Sequence, residues 1–306
     1  MAGAEVLTYG DDGNQMNCAC VDIGTNTTRL LVAERDGGRL RELAAVRRFL
    51  RLVPDEGGQI PSEAVAALAA IVAAHARVAR QHAVSEVHVV GTAAIRAASN
   101  RDELCAAVHA ACGIQVEVLT GEQEAQLAFT GALATLATPP AGAIGVIDIG
   151  GGSCELVTGT IADGVTWWRS VPIGSGTLAA HHLRSDPPEL AELADARAEI
   201  DVALEGVEPP ATELVLAVGG SATTLAAAAG GELEPASIAR ILAVLLAEPA
   251  SEAAKRLGLH VERVRLLPAG LLALEAAWEA FGQAPLQIAR GGLREGVVML
   301  AFGGRS

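Results

Sequence analysis

Two segments, VDIGTNTTRLLV at residues 21–32 and VIDIGGGSCELV at residues 146–157, decide how this chain folds. In each, an apolar strand ends in Asp-Ile-Gly, and a turn of small or hydroxyl residues leads into an apolar return strand. This pattern predicts a β-hairpin. The aspartates, Asp22 and Asp148, are 126 residues apart. We therefore interpret the chain as a duplicated α/β unit with a functional cleft between its halves.

The length and composition agree with two domains. A chain of 306 residues is long enough for two domains. Hydrophobic residues make up 51% of it and aromatic residues only 3%, so small aliphatic side chains must fill the core. Disorder of the whole chain is excluded. Pro139-Pro140-Ala141-Gly142 is the expected boundary. We predict a flexible tail at 1–16, a first domain at 17–138 and a second at 141–306, whose last helix, 293–302, is free to pack back on the first.

Outside the hairpins, strand and helix patterns alternate. We expect side-chain caps from Ser62, Asn100 and Asp186, and a capping box from Thr120 with Gln123. Predicted helices are 62–82, 100–111, 120–136, 186–204, 220–229, 236–246, 251–257, 267–280 and 293–302. Predicted strands are 18–23, 28–35, 43–52, 86–92, 114–118, 143–149, 154–161, 214–218 and 286–289.

The charge and the cysteines limit the class of function. With 36 acidic and 22 basic residues the net charge is −14, which excludes a sequence-independent nucleic-acid binder. The long charge-free runs contain Pro-Pro or Gly-Gly pairs, so we expect no membrane span. No signal peptide is visible. Five cysteines, an odd number, give neither a disulfide framework nor zinc spacing. We therefore predict a cytoplasmic protein.

The two hairpin turns point to phosphate chemistry. A carboxylate at a strand end can hold Mg²⁺, and a turn of small residues presents N–H groups to phosphate oxygens. One such turn would equally be an ordinary hairpin, and the specificity comes from having two. A third glycine-rich element, AVGGSATTLAA at residues 217–227, passes from strand to helix. Its helix N-terminus suits an anion, and close helix–strand packing is the open alternative.

These three elements, in this order, resemble the actin-like (ASKHA) superfamily. A finer set of motifs resembles the exopolyphosphatase/guanosine pentaphosphate phosphohydrolase family over about residues 18–303. These motifs are GTAAIRAASN (91–100), LTGEQEAQLAFTGAL (119–133), DIGGGSCELV (148–157), SVPIGSGTL (170–178) and ARGGLREGVV (289–298). The resemblance implies an α/β fold of two RNase H-like, actin-like domains, in a short member without the extra C-terminal region.

The resemblance also assigns roles. It implies that Glu124 activates the attacking water, that Asp22 and Asp148 hold Mg²⁺, and that Glu155 is a further catalytic carboxylate. Arg96 is expected to meet a substrate phosphate. In addition, Glu124 falls in the first turn of a predicted helix, where the helix dipole favours its ionised form. The candidate phosphate-binding residues of the three glycine-rich elements are Gly24, Thr25, Asn26, Thr27, Gly151, Gly152, Ser153, Gly219, Gly220 and Ser221.

Several positions leave alternatives open. Val53 lies in a loop that is shorter than in the family, which leaves the preferred chain length undecided. Arg265 stands where an aspartate is common, and whether its added charge changes domain packing or chain binding stays open. The cluster of Arg47, Arg48 and Arg51 is either a guide for a polyanion or a solvated strand face. For Arg294 we favour a structural role, pairing with a carboxylate and holding the last helix in place.

The function predicted from these residues is Mg²⁺-dependent hydrolysis of the terminal phosphoanhydride of inorganic polyphosphate. No His or Cys in the motifs is placed to form a phospho-enzyme, so we expect direct attack by water. The alternatives are hydrolysis of guanosine pentaphosphate, a non-catalytic sensor of alarmone or polyphosphate, and, more remotely, a sugar kinase. Homodimers are common in the family, and a homodimer is therefore a further possibility for this chain.

Overall fold

The computed structural model describes residues 17–303 except 37, 38, 56, 137, 139 and 231–234. The predicted tail at 1–16 lies outside the described residues. The described chain forms two five-stranded mixed sheets with helices packed on them. The predicted α/β fold is therefore confirmed.

The first half supplies the first sheet, with strand order β3-β2-β1-β4-β5. Its elements are β1 (Asn17–Ile23), β2 (Thr27–Asp36), β3 (Arg39–Phe49), α1 (Ser62–Gln81), β4 (Val84–Gly91), α2 (Ala93–Ala97), α3 (Arg101–Cys112), β5 (Val116–Val118) and α4 (Gly121–Ala134). β1, β2 and β3 pair antiparallel, whereas β4 pairs parallel with β1 and β5 pairs parallel with β4.

The second half supplies the second sheet, with strand order β10-β9-β6-β7-β8. Its elements are β6 (Ile144–Ile149), β7 (Cys154–Thr160), β8 (Gly164–Val171), α5 (Ser175–His182), α6 (Leu190–Ala203), β9 (Leu214–Val218), α7 (Gly219–Ala229), α8 (Pro235–Ala247), α9 (Ala250–Leu257), α10 (Val261–Val264), α11 (Leu267–Ala280), β10 (Leu286–Ile288) and α12 (Leu293–Gly303).

The two sheets have the same topology. In each, the first three strands pair antiparallel in sequence order. The fourth strand then pairs parallel with the first, and the fifth pairs parallel with the fourth. The strand that carries Asp22 and the strand that carries Asp148 occupy the same central position of their sheets. The carboxyl ends of both strands therefore meet the turns at equivalent places, as a duplication requires.

Two helices connect the halves by packing on the sheet of the other half. The apolar face of α4, including Ala128 and Phe129, packs on β6, β7 and β9 of the second sheet. The apolar face of α12, including Val298 and Phe302, packs on β1 and β2 of the first sheet. α4 and α12 approach so closely that a methyl group on Gly131 would overlap the carbonyl oxygen of Gly292. This crossing fixes Glu124, on α4, between the two sheets.

Helix α1 is the one helix among the described residues that is long and apolar enough to cross a membrane. Its residues Val65, Leu68 and Val72 are buried in the cluster that includes Leu30 and Val32 of β2. One face of α1 is thus part of a protein core.

The structure corrects three of the predicted helix caps and confirms the capping box. Pro61 occupies the N-cap of α1, where Ser62 was expected. Asn100 sits at the N-cap of α3, but its side chain exchanges hydrogen bonds with the backbone of Ile60 instead of capping. The carboxylate of Asp186 accepts the N–H of Ala250, so it serves α9 and not α6. Ser62 lies one residue inside the helix, and the side chains of Asn100 and Asp186 bind backbone groups far away in the sequence.

The Thr120–Gln123 box is present, with Gln123 N–H donating to Thr120 Oγ1 and Thr120 N–H donating to Gln123 Oε1. The chief omission of the sequence prediction is β8, whose sequence GVTWWRSV contains the indoles of Trp167 and Trp168. It pairs antiparallel with β7 and completes the second sheet.

Candidate active site

The site is built on two turns of the same design. In the first hairpin, the N–H of Gly24 donates to the carbonyl oxygen of Thr27 at 3.0 Å. In the second, the N–H of Gly150 donates to the carbonyl oxygen of Ser153 at 2.9 Å. Both bonds close a four-residue turn that follows Asp-Ile. The sequence therefore produces the same backbone loop at the carboxyl end of both central strands.

The turns meet face to face because the second is made of glycine. A methyl group on Gly151 would lie 2.6 Å from Asn26 Nδ2, and one on Gly152 would lie 2.6 Å from Thr25 Oγ1. The amide nitrogen of Asn26 is buried and has no hydrogen-bond partner among the described residues. The N–H groups of Ser175 and Gly176, at the start of α5, hold the second turn from behind through the carbonyls of Gly150 and Gly151.

A cleft of about 390 Å³ opens beside these turns. Its volume falls in the range of small-molecule sites, about 300–1,000 Å³. Every predicted site residue except Arg96 lines it. The lining members of that set are Asp22, Gly24, Thr25, Asn26, Thr27, Glu124, Asp148, Gly151, Gly152, Ser153, Glu155, Gly219, Gly220 and Ser221. The fold thus brings the three glycine-rich elements and the carboxylates together.

The carboxylates of Asp22, Glu124, Asp148 and Glu155 lie close together in the cleft. Burial raises the pKa of Asp22, and burial with the nearby Asp22 charge raises the pKa of Asp148 to about 6, although Arg29 opposes both shifts. Burial, Glu124 and Asp148 together raise the pKa of Glu155 to about 8. Buried carboxylates next to one another resist ionisation because each disfavours the charge on the others. This group of carboxylates favours a bound cation.

Glu124 is held by Arg96. The guanidinium of Arg96 donates to the Glu124 carboxylate and also to the carbonyl oxygen of Leu119, at 2.7 Å for the carbonyl. Burial raises the pKa of Glu124 to about 7, with Arg96 opposing and Asp22 and Asp148 assisting the rise. The structure places Arg96 against the Glu124 carboxylate, and its predicted contact with a substrate phosphate stays a prediction.

Glu155 lies on β7 opposite Asp148 of β6. It is buried, and its Oε1 accepts a hydrogen bond from Ser170 Oγ of β8 at 2.8 Å. A methyl group on Gly121 would lie 2.9 Å from the Ser170 side chain, so the glycine lets the start of α4 approach β8. This contact brings the helix that carries Glu124 next to the strand that carries Glu155.

Two arginines that the sequence analysis did not assign also line the cleft. Arg29 lies on β2 opposite Asp22, and Arg263 comes from the short helix α10. Arg263 is 9% exposed, and its Nε and Nη2 have no hydrogen-bond partner among the described residues. Burial, Arg29, Arg47 and Arg294 lower its pKa to about 9. A buried guanidinium among other cations, with unpaired donors, is suited to an anion.

The first two residues of α7, Gly219 and Gly220, leave space for side chains of the cleft. Gly219 has φ +85°, a conformation that favours glycine, and its Cα packs against the Asp148 carboxylate. Next to it, a methyl group on Gly220 would collide with the guanidinium groups of Arg29 and Arg263. At the N-terminus of α7, Gly219 therefore leaves space for the Asp148 carboxylate and Gly220 leaves space for the two guanidinium groups. Close packing is therefore observed at this helix N-terminus, and anion binding there stays a prediction.

The rim carries the remaining arginines. Partial burial, Arg29 and Arg294 lower the pKa of Arg47 to about 10, and Arg47 lines the cleft. Arg294 also lines the cleft and pairs with a carboxylate, as predicted, but this is Glu295 of the same helix, at 3.5 Å. Its charge also opposes the rise in the pKa of Asp22 and of Asp148, so it acts on carboxylates of both central strands. The expected role of Arg294 in holding the last helix stays a prediction. The ring of Phe49 stacks on His260 at 4.7 Å between centroids and so bridges β3 and α10 across the cleft.

The carboxylates fit a hard divalent cation. Asp22 and Asp148 stand at equivalent strand ends and offer oxygen donors only, as Mg²⁺ prefers. Their raised pKa values reflect burial of negative charge that a cation would offset. Mg²⁺ usually keeps several of its own waters, so one or two protein carboxylates are sufficient.

The fold and the cleft define an α/β protein with two five-stranded sheets of the same topology and a cleft lined by carboxylates, arginines and glycine-rich turns. Comparison with known proteins gives the family: the profile of the Ppx/GppA phosphatase family matches residues 31–302. The chain belongs to this family. The prediction of an enzyme of this family is thereby confirmed.

Individual relatives agree with this assignment. The chain is 29% identical to "Exopolyphosphatase 1" of Mycobacterium leprae over 93% of its length and 89% of the relative. It is 35% identical to "Exopolyphosphatase 2" of Mycobacterium tuberculosis over 69% of its length and 70% of the relative. The crystal structure of the Aquifex aeolicus Ppx/GppA family member superposes with a TM-score of 0.79 at 27% identity, covering 96% and 99% of the two chains.

Proposed function

We propose that this chain is a Mg²⁺-dependent exopolyphosphatase that removes the terminal phosphate of inorganic polyphosphate. The observation that carries the proposal is one cleft lined both by buried carboxylates and by Arg263, a buried arginine with unpaired donors. A polyanion bound with a divalent cation needs both kinds of group. The relatives named exopolyphosphatase support the proposal.

The arginines and the turns bind the terminal phosphate. The free Nε and Nη2 of Arg263 offer hydrogen-bond donors to phosphate oxygens, and Arg29 adds a second guanidinium beside it. The unpaired amide of Asn26 and the turns at 24–27 and 150–153 add donors from both halves. Because both halves contribute, binding of the phosphate draws the two sheets together.

Asp22 and Asp148 are the residues that would hold Mg²⁺. When bound, the ion supplies positive charge to the phosphate oxygens as the phosphorus–oxygen bond breaks. Glu155, paired with Asp148 across the hairpin and bonded to Ser170, keeps the Asp148 strand in position. Burial and the neighbouring Glu124 and Asp148 raise the pKa of Glu155 and so favour its neutral form.

Glu124 acts as the general base. A pKa of about 7 gives it a substantial ionised fraction at neutral pH together with enough basicity to accept a proton. Glu124 takes a proton from water while the water oxygen bonds to the terminal phosphorus. The bridging P–O bond breaks, and its electron pair stays on the shortened chain as orthophosphate is released. Arg96 is a positioning residue, since it fixes the Glu124 carboxylate.

The experiment is phosphate release from short and long polyphosphate, with Mg²⁺ or with EDTA. We expect Mg²⁺-dependent release, with kcat lowered about 10²–10⁴-fold in Glu124→Gln. Glu122→Gln is the matched control, since Glu122 lies in the same helical turn but is exposed. Absence of release by the folded wild type from every chain length would refute the proposal. Equal rates for Glu124→Gln and Glu122→Gln would refute the role of the base.

Guanosine pentaphosphate is the second candidate substrate. A second pocket of about 600 Å³ adjoins the cleft and shares Asn26, Phe49 and Leu266 with it. Its apolar residues, among them Leu183 and Leu245, suit a nucleoside. Rates on the two substrates, measured side by side, distinguish the candidates. A cytoplasmic location and a homodimer stay predictions.

A further inference from the structure

A second cluster of ligand-type side chains lies outside the candidate active site. His181 and His182 end helix α5, and Glu199 lies on the neighbouring helix α6. Glu199 Oε2 is 2.6 Å from His182 Nε2 and 3.6 Å from His181 Nδ1. In the part of the chain that the structure describes, this is the one group of three His, Cys, Asp or Glu residues whose ligand atoms all lie within 4.8 Å of one another.

This cluster is distinct in place and in chemistry from the cleft. None of the three residues lines the cleft or the pocket beside it. The cleft offers carboxylate oxygens, which Mg²⁺ prefers. Two imidazoles and one carboxylate instead form a ligand set that zinc uses in proteins, with water in the fourth position.

The distances suit a zinc ion after small side-chain movements. With Zn–N and Zn–O distances of about 2.0–2.1 Å, ligand atoms of a tetrahedral site lie about 3.3 Å apart. The two measured distances, 2.6 and 3.6 Å, fall on either side of this value. The side chains of His181, His182 and Glu199 are 56%, 20% and 36% exposed, so an ion can reach them from solvent.

The electrostatic surroundings favour a cation. The histidines are the last two residues of α5, where the carbonyl end of a helix carries partial negative charge. The whole chain has a net charge of −14, which attracts cations to its surface. A cation at this end of the helix is therefore stabilised by its surroundings as well as by its ligands.

We propose that His181, His182 and Glu199 bind one Zn²⁺ ion at a site separate from the catalytic cleft. Binding joins α5 to α6 and replaces the His182–Glu199 hydrogen bond. The other end of α5 holds the second turn through Ser175 and Gly176. Zinc therefore anchors the helix that supports this turn, and it stabilises the fold because it binds the folded state.

The test is Zn²⁺ binding by the full chain, measured in competition with a chromophoric chelator. Excess Mg²⁺ is included to occupy the carboxylates of the cleft. We expect one Zn²⁺ per chain and a rise in Tm. Affinity should fall at least about 10-fold in His182→Ala and in Glu199→Gln, since even groups that only orient a metal ligand are worth about 10–100-fold. His109→Ala, which removes an exposed histidine from the end of α3, should bind as the wild type does.

Two further measurements keep the test decisive if His182→Ala does not fold. His181→Ala changes a more exposed side chain, and it should also weaken Zn²⁺ binding. Co²⁺ in place of Zn²⁺ should give the intense visible absorption of a tetrahedral site in the wild type, and this absorption should be lost in Glu199→Gln. Wild-type affinity in His181→Ala and Glu199→Gln, or no Zn²⁺ bound by the wild type, would overturn the proposal.

Discussion

The two hairpins of this protein share a backbone and differ in charge. In both, Asp-Ile precedes a turn closed by a hydrogen bond of 2.9–3.0 Å, and both central strands take the same place in their sheets. The residue opposite the aspartate is Arg29 in the first hairpin and Glu155 in the second. These two positions are again 126 residues apart, so a basic and an acidic side chain occupy equivalent places.

The exchange of Arg29 for Glu155 at this position changes the charge around the two aspartates. Arg29 lowers the pKa of Asp22 and of Asp148, which keeps both carboxylates closer to the charged form that binds a cation. Glu155 adds to the crowding of acids around Glu124. The two hairpins thus present turns of the same design. Under the proposed function, Arg29 makes the first hairpin a contributor to anion binding, whereas Glu155 makes the second more acidic.

The largest expected effect comes from neutralising the aspartates that the hairpins share. Asp148→Asn and Asp22→Asn each remove one oxygen charge at a strand end. Metal-ion stabilisation is worth several kcal/mol, so we expect each to lower kcat by about 10²–10⁴-fold. Mg²⁺ should raise the Tm of the wild type and raise it less in both variants.

The control for this pair is Asp163→Asn, because Asp163 lies in an exposed turn. It should keep both the activity and the Mg²⁺ effect. An inactive Asp148→Asn beside a fully active Asp22→Asn would end the symmetry of the two hairpins, and the metal would then belong to the second hairpin alone.

The next effect concerns the residue that distinguishes the hairpins. Arg29→Ala should lower kcat/KM for polyphosphate about 10²–10³-fold, because a donor aimed at the transferred phosphate is lost. Arg29→Lys should restore only part of it, since an ammonium cannot reproduce the planar fork of the guanidinium. Arg77→Ala, at an exposed position of α1, is the control. If steady-state kinetics were the same for Arg29→Ala and Arg77→Ala, the proposed role of Arg29 in anion binding would be wrong.

The same hairpins show what a sequence can predict. Asp22, Asp148 and the turns follow from local pattern, and so does the Thr120–Gln123 box. Arg29 stood within the decisive stretch and was not assigned, although the 126-residue offset that relates the aspartates also relates it to Glu155. The repeat could therefore have marked Arg29 as a candidate site residue.

Other features depend on contacts between distant parts of the chain. Arg263 lies on a four-residue helix that packing carries into the cleft, and nothing in its neighbourhood in the sequence marks it. Asn100 and Asp186 were wrongly predicted as caps of their own helices because their side chains bind the backbone of Ile60 and Ala250, 40 and 64 residues away. Local propensity is a weak guide wherever a tertiary partner is available.

A smaller effect involves pH and the base that belongs to neither hairpin. With a pKa of about 7, Glu124 is protonated in acid, so the rate should fall about tenfold per pH unit below 7 and level off above it. The hydrogen bond and charge of Arg96 hold this pKa down. Arg96→Ala should therefore move the acidic limb to higher pH, with less loss of activity at pH 9 than at pH 7. Arg101→Ala, an exposed neighbour, should leave the profile unchanged. An unmoved limb in Arg96→Ala would contradict the assignment of Glu124.

The smallest effect probes the contact between the two turns. A methyl group on Gly24 would meet only the Thr27 carbonyl of its own hairpin, at 3.3 Å, whereas one on Gly151 would press on Asn26 Nδ2 at 2.6 Å. Gly151→Ala should therefore be more harmful than Gly24→Ala, in both stability and kcat/KM. Asn26→Ala removes the amide that the new methyl group would contact. The Gly151→Ala/Asn26→Ala double variant should therefore lose less stability than the sum of the losses in the two single variants. We expect a coupling of about 0.5–3 kcal/mol in urea unfolding, the range for residues in direct contact. Additive effects would mean that the turns do not touch in solution, and the phosphate would then be bound by two independent loops.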